Sequence, residues 1–414
     1  MRSIMLRFAG FTGAPILSAL APFIILPVVS RIVGDEGWAN FATGQSIGAL
    51  GMVGVLFGWA VVGPVRVARA ESDQQRGLIL HESIRSRLIT AAIAVPIAGL
   101  ATYLVCTSAF RLESVAVAVV TTIGGFTPAW FCIGQGNPRA LMIFDALPKV
   151  AASVISLPIL AFTGQVLWYP ALLLAATVPA FVMHARLTAH GDLIGRLERR
   201  GVRTVLRALV PTAAIDAAGN AYGATAVPIA TAGLEPVEAS SFASADRAYR
   251  IATMVVIALG NTFQAWVLDP SATLRHRRHL VALVAHVAVG LLGGAAIALL
   301  GPWATGIFFG EAVAADPLPS ALFGVAFFFL SSATPLIRNI LIPAHRYGTV
   351  FGATIAAAVV GLATMLTGSF LGSGNLIAAG VAASEATAFA VLLIPAVAVL
   401  RGEWMVTPPT ALPK

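Results

Sequence analysis

The feature that most constrains this chain is a recurrence of apolar runs along its whole length, each about 20 residues long and nearly free of charge. A run of that length crosses roughly 30 Å of hydrocarbon as an α-helix. Hydrophobic residues make up 58% of the chain and charged residues only 11%, where an ordinary soluble domain carries roughly 25% charged residues. Such a chain cannot cover itself with a surface that water tolerates. The expected fold is all-α and integral to a membrane.

The runs and the turn signals between them predict twelve spans: 8–30, 39–63, 87–109, 114–135, 141–163, 166–187, 205–230, 239–267, 279–301, 318–343, 347–370 and 375–400. Gly34-Asp-Glu-Gly, Gly136-Asn-Pro, Gly301-Pro and Gly372-Ser-Gly mark breaks between them. Arg2 and Arg7 precede an apolar run that lasts to about Ser30, too long for a typical signal sequence, so it reads as the first span.

The formal charge is +8. A basic excess can indicate nucleic acid, but here the cations sit in short loops between apolar runs, so no nucleic-acid partner is expected. With the N-terminus in the cytoplasm, 21 of the 26 Lys and Arg fall in inside loops, tails or adjoining helix ends, Arg87 among them. Only Arg31 and Arg111 fall outside. The positive-inside rule therefore supports an even number of spans with both termini cytoplasmic. Inside loop 64–86 is expected to include a helix lying on the membrane surface. Inside loop 188–204 is the natural linker between two six-helix bundles, 1–187 and 205–414.

An internal repeat supports that division. Gly34-Asp-Glu-Gly-Trp-Ala-Asn-Phe41-Ala-Thr in the first half answers Gly233-Leu-Glu-Pro-Val-Glu-Ala-Ser-Ser-Phe242-Ala-Ser in the second. Thr127-Pro128 followed by Arg139 answers Thr334-Pro335 followed by Arg346 at the same spacing. Six spans is an even number, so the halves share one topology, and the pseudo-repeat is parallel.

The proline-rich first run ends in Leu26-Pro-Val-Val-Ser-Arg-Ile-Val-Gly, followed by Asp35-Glu-Gly-Trp-Ala-Asn-Phe and a glycine-rich second run closing on Gly63-Pro-Val-Arg-Val-Ala-Arg-Ala. Over about residues 5–75 this resembles the opening of Wzx-type polysaccharide flippases of the multidrug/oligosaccharidyl-lipid/polysaccharide exporter superfamily. The resemblance implies a bacterial cytoplasmic-membrane protein that flips a polyprenyl-pyrophosphate-linked oligosaccharide by alternating access. It implies no ATP site, and no Gly-rich loop ending in Lys-Ser/Thr is present. Membrane lipids and other polysaccharide-pathway proteins are the partners it implies. The second half lacks loop aromatics and any recognisable sugar-reading cluster, so the sugar stays open.

Ionisable groups at membrane depth are costly, by about 2.5–3.5 kcal/mol on insertion scales, and so become candidate site residues. Asp145 and Lys149 lie four apart in the fifth span, with Pro148 between. Asp216 is at mid-depth in the seventh, flanked by Thr212 and Asn220 at four-residue spacing. The eighth carries Asp246, Arg247 and Arg250, and the twelfth Glu385. Lys149, Arg247 and Arg250 are candidates for an anionic headgroup, because Arg holds phosphate through charge-assisted bonds. Asp145, Asp216, Asp246 and Glu385 are candidate charge partners, or sites of H⁺ or Na⁺ coupling. Each also has a plain structural reading as half of a neutralised pair. His286 reads as a packing residue. Cys106 and Cys132 lie in apolar runs, and no Cys or His spacing suits a metal or a cofactor.

Two other functions compete with the flippase. A multidrug or cation exporter of the same superfamily would make more use of the carboxylates. A membrane polysaccharide polymerase or glycosyltransferase needs a sizeable outside loop or a catalytic carboxylate set, and neither is evident. No enzymatic activity is expected.

Overall fold

The computed structural model describes residues 13, 17–188, 201–268 and 275–405, without the side chains of 218, 220–222, 265, 275, 276 and 403–405. The described residues are helical, with no β-strand among them. In chain order the helices are α1 (Leu17–Ile24), α2 (Leu26–Leu56), α3 (Trp59–Ala68), α4 (Asp73–Val105), α5 (Arg111–Ile123), α6 (Ala129–Gly134), α7 (Pro138–Leu141) and α8 (Leu147–Thr163). They continue as α9 (Trp168–Thr188), α10 (Val202–Gly233), α11 (Pro236–Val267), α12 (Arg275–Phe309), α13 (Pro317–Pro335), α14 (Tyr347–Phe370) and α15 (Gly374–Met405).

Each of the twelve runs is helical where described, but several are broken. α1 and α2 meet at a bend of 47°. Inside α2 the helix is interrupted at Gly34 (φ 62°, ψ −164°), which divides the first run from the second. Only glycine enters that conformation cheaply. A second break at Phe57 and Gly58, both with positive φ, separates α2 from α3. The expected turns at Gly136 and Gly372 are also present, both with positive φ, and Asn137 caps α7 by accepting from the Ala140 N–H.

Two expectations are corrected. Loop 64–86 holds no separate surface helix. Its first part completes α3, and α4 already begins at Asp73, where the Ser72 side chain accepts from the Gln75 N–H and Asp73 occupies the positive end of the helix. Gly301-Pro302 does not end the ninth run; α12 continues through it to Phe309. Thr305 Oγ1 donates to the Gly301 carbonyl at 2.7 Å and accepts from the Ala315 N–H at 2.9 Å, tying the last turns of α12 to the following loop.

Eight helical segments are apolar and long enough to cross a membrane by themselves, or nine with the bent α1–α2 pair. That set omits α10 and α11, although each has 32 residues. Composition is the reason. α10 carries Arg203, Arg207 and Asp216, and α11 carries Glu238, Asp246, Arg247 and Arg250.

By packing, the chain forms two units: Met1–Ala232 with Phe308–Val313, and Gly233–Ile307 with Ala314–Lys414. α10 thus packs with the first unit, through Thr43 and Thr231 hydroxyls 2.8 Å apart and through Leu209 and Val205 in the core around Trp59, Trp130 and Phe131. The linker expected at 188–204 lies mostly outside the described residues. The second unit has its own core around Leu336, Leu341, Leu392 and Ala396.

The repeat is visible inside each unit. Asn40 donates to Thr107 and to the Ala109 carbonyl, tying α2 to the loop between α4 and α5. At the matching position Ser241 accepts from the Asp316 N–H and donates to its carboxylate, tying α11 to the loop between α12 and α13. Phe41 and Phe242 are both buried beside these anchors.

Small residues let the helices close on each other, which matters because lipid supplies no hydrophobic drive between them. On α2, a β-carbon at Gly44 would stand 2.3 Å from the Ser114 carbonyl oxygen of α5, and one at Gly48 2.8 Å from that of Ala118. On α14 and α15, Gly361 and Gly380 approach in the same way. Gly44→Ala is therefore expected to lower the thermal midpoint in detergent, by an overpacking cost of about 1–3 kcal/mol. Gly352→Ala, with no neighbour within 4 Å of the new carbon, should leave it unchanged or raise it.

Candidate functional site

Among the described residues, each unit holds a cluster of buried ionisable groups. In the first unit the cluster is built on a break in the fourth run. α5 tightens into a 3-10 turn at Gly124–Phe126, Thr127 turns extended, and Pro128 opens α6. Such a break frees backbone carbonyls where no water can reach them. Arg87 on α4 answers two of them: its Nη1 donates to Gly125 at 3.0 Å and to Thr127 at 3.1 Å. Its guanidinium sits 5.4–5.6 Å from the ring centres of Phe126, Trp130 and Phe181, and the residue is fully buried. Arg87, grouped by sequence with the inside cations, is fully buried within α4.

Thr127 passes the network on. Its Oγ1 accepts from the Ala129 N–H and donates to Asp145 Oδ1 at 2.5 Å. Asp145 lies in a π-helical turn, Met142–Ala146, just before Pro148. A proline there removes a donor from the preceding turn, and a widened turn accommodates it. Lys149 Nζ reaches Asp145 Oδ1 at 2.8 Å and Ser18 Oγ of α1 at 2.8 Å, while Ser18 donates to Asp145 Oδ2 at 2.7 Å. Arg87, Thr127, Asp145, Lys149 and Ser18 thus form one polar chain through four of the first six runs.

In the second unit the cluster sits on α11. Arg250 Nε donates to Asp246 Oδ2 at 2.5 Å, one turn away. Asp246 and Arg247 are buried, as is Glu385 on α15. The Tyr249 hydroxyl points at Glu385 Oε1 from 3.4 Å, and its ring packs on Phe323, which also receives Phe242. Asp246 thus pairs with Arg250, and Tyr249, the neighbour of Arg250 in sequence, faces Glu385. Asp216 is on α10, part-buried and grouped with the first unit. The side chain of its expected neighbour Asn220 lies outside the described ones. His286 Nδ1 lies 2.7 Å from the Ala282 carbonyl, and its own carbonyl accepts from Ser331. Among the described residues no cluster of His, Cys, Asp and Glu could hold a metal ion.

Three members were not singled out as site residues from the sequence: Ser18, Arg87 and Tyr249. Thr127 was noticed only as a repeat anchor. The repeat flagged Thr127 but not its partner: among the described residues Thr334, its counterpart, bonds to its own helix at Leu330.

No family model matches the chain, and no curated protein matches it. Solved structures do. One is the inward-facing conformation of a multidrug resistance MATE family transporter of the MOP superfamily, at TM-score 0.60 and 14% identity over 94% of this chain and 99% of that one. The chain has the MATE fold. The eukaryotic MATE transporter AtDTX14 matches at TM-score 0.61 and 12% identity, over 96% of this chain and 97% of its own. A MATE in the straight conformation matches at TM-score 0.52 and 12% identity, over 97% and 96%. The fold is therefore a multi-pass membrane transporter fold, and these neighbours are transporters rather than enzymes.

Two outcomes follow from the first-unit cluster. Asp145→Asn or Lys149→Met alone leaves an uncompensated buried charge, expected to cost about 3 kcal/mol. The double variant should recover much of that in detergent unfolding, giving a clear coupling energy. Arg87→Lys keeps the charge but loses the planar fork and ring stacking. Hydrogen exchange of the segment 124–134 should then rise by roughly tenfold or more, matching a loss of about 1–3 kcal/mol.

Proposed function

We propose that this chain is a transporter that carries an amphipathic organic substrate across a bilayer by alternating access. The observation that carries the reading is the match of fold along nearly the whole chain to multidrug MATE transporters. On that basis a multidrug-type exporter is the first reading of the substrate. The carboxylates Asp145, Asp216, Asp246 and Glu385 suit a cationic substrate or coupling to H⁺ or Na⁺, since a carboxylate at membrane depth is costly unless it meets a cation or a proton. In the first unit the Asp145–Lys149 pair is a closed neutral cluster, which favours a structural or coupling role over direct substrate contact.

A second reading keeps the lipid-linked oligosaccharide flippase. Its support is the opening motif, Leu26-Pro-Val-Val-Ser-Arg-Ile-Val-Gly34, together with Arg247, Arg250 and Lys149 as cations for a pyrophosphate headgroup. In either reading we place the protein in a bacterial cytoplasmic membrane with both termini inside; its Arg distribution supports that orientation.

One pair of measurements separates them. Cells lacking their major exporters should accumulate less ethidium when they express this chain, and Glu385→Gln should remove the effect. If ethidium is unaffected, and deletion in the native host instead builds up polyprenyl-linked glycan that Arg250→Ala fails to clear, the flippase reading replaces the exporter.

A further inference from the structure

Beyond Gly34, α2 packs along α5, and close glycine contacts fix the register of the pair. Gly44 stands against Ser114, Gly48 against Ala118, and Val55 against Gly125, each pair 70 residues apart in the chain. Inward of these contacts α3 and α6 continue the pairing. Gly63 packs against the Trp130 ring, and a β-carbon at Gly134 would stand 2.7 Å from the Pro64 carbonyl oxygen. The Trp59 and Trp130 rings lie 5.3 Å apart.

Both runs leave the helix at one level of that register. The second breaks at Phe57 and Gly58, with φ of 45° and 83°. The fourth breaks at Thr127-Pro128, again 70 residues on. The freed carbonyls correspond as well. In an unbroken helix the Val55 carbonyl would accept from the Trp59 N–H, and the Gly125 carbonyl from the Ala129 N–H. Instead Trp59 opens α3, and the Ala129 N–H goes to Thr127 Oγ1.

One turn of α4 answers both breaks. Thr90 Oγ1 donates to the Val55 carbonyl at 2.9 Å, and Arg87 Nη1 to the Gly125 carbonyl at 3.0 Å. Ser86 Oγ accepts from Trp59 Nε1 at 2.8 Å, which holds the first residue of α3. Phe57 is a bulky residue in the left-handed region, a conformation that persists only where its surroundings impose it. Helix ends of this kind are where a hinge takes up its backbone change. Helix kinks are common and ordinarily independent of each other. Two unrelated kinks would not share a register level, a pair of touching residues with freed carbonyls, and one donor helix.

We propose that the breaks in the second and fourth runs are a single hinge, held by α4 at Ser86–Thr90, about which α3 and α6 turn together as one lever. The lever is the inward end of two spans, so its tilt opens or narrows the inner side of the first unit. That use in transport rests on the transporter reading. The joint opening of the two breaks does not, so the failure of one is distinguishable from the failure of the other.

The test is hydrogen exchange on the full-length protein in lipid nanodiscs. Among the described residues Thr90 Oγ1 bonds only to Val55 and to its own helix. Thr90→Val should raise exchange at 54–60 by about fivefold, as expected for the loss of one hydrogen bond. A single hinge requires a comparable rise at 123–129, in the other run. Thr90→Ser, which keeps the donor, should restore both segments. A rise confined to 54–60, or no rise at either segment, would overturn the hinge. Paired spin labels on the exposed positions Val65 of α3, Ile133 of α6 and Leu100 of α4 read the lever itself. In Thr90→Val the Val65–Leu100 distance, across the hinge, should broaden, while the Val65–Ile133 distance keeps its width. Broadening of Val65–Ile133 as well would show α3 and α6 moving apart, and the lever would be wrong.

Discussion

Arg87, bonded through one nitrogen to the carbonyls of Gly125 and Thr127, answers the constraint on which this architecture rests. Inside hydrocarbon no water completes a broken helix, so every interruption needs a protein group to meet the freed backbone. The fourth run is interrupted at Thr127-Pro128. Arg87 makes that tolerable, and three aromatic rings around it replace the hydration a guanidinium gives up. With the break held, Thr127 faces Asp145, and Asp145 in turn holds Lys149 and Ser18. One local repair thus fixes the position of the whole buried charge cluster.

The second unit meets the same constraint differently. Its fourth run also contains a Thr-Pro pair, but there the helix widens into a π turn at Leu336–Leu341 instead of breaking, and Thr334 bonds to its own helix. Arg338, inside that turn, donates to Asn261 of α11. The charges of the second unit sit instead on α11, where Asp246 neutralises Arg250 one turn away and Tyr249 reaches toward Glu385. The halves repeat in topology and in the anchors at Asn40 and Ser241, yet they differ in where they place charge.

Close helix contact is the other device that holds the units together. Gly44 and Gly48 on α2, and Gly361 and Gly380 on α14 and α15, bring backbones within van der Waals reach. That packing is energetically independent of hydropathy, because a lipid tail is as apolar as leucine. Glycine placement therefore carries information that the apolar runs do not.

The sequence by itself determined the class of the protein. Its apolar runs, the alternation of Arg between loops, the glycine breaks at 34, 136 and 372, and the parallel repeat are all short-range signals, set by solvent and local backbone sterics. It also marked Asp145, Lys149, Asp246, Arg250 and Glu385, because a charge in an apolar run is visible without a structure. Tertiary structure alone decided who meets whom. Arg87 looked like a loop cation because its nearest neighbours in sequence include Arg85 and Glu82, and its real partners lie 38 to 94 residues away. Gly301-Pro302 looked like a helix end, because the signal is local, whereas α12 runs on to Phe309 and the loop beyond it returns the Ala315 N–H to Thr305. Burial and pairing depend on residues distant in the chain, and no local pattern encodes them.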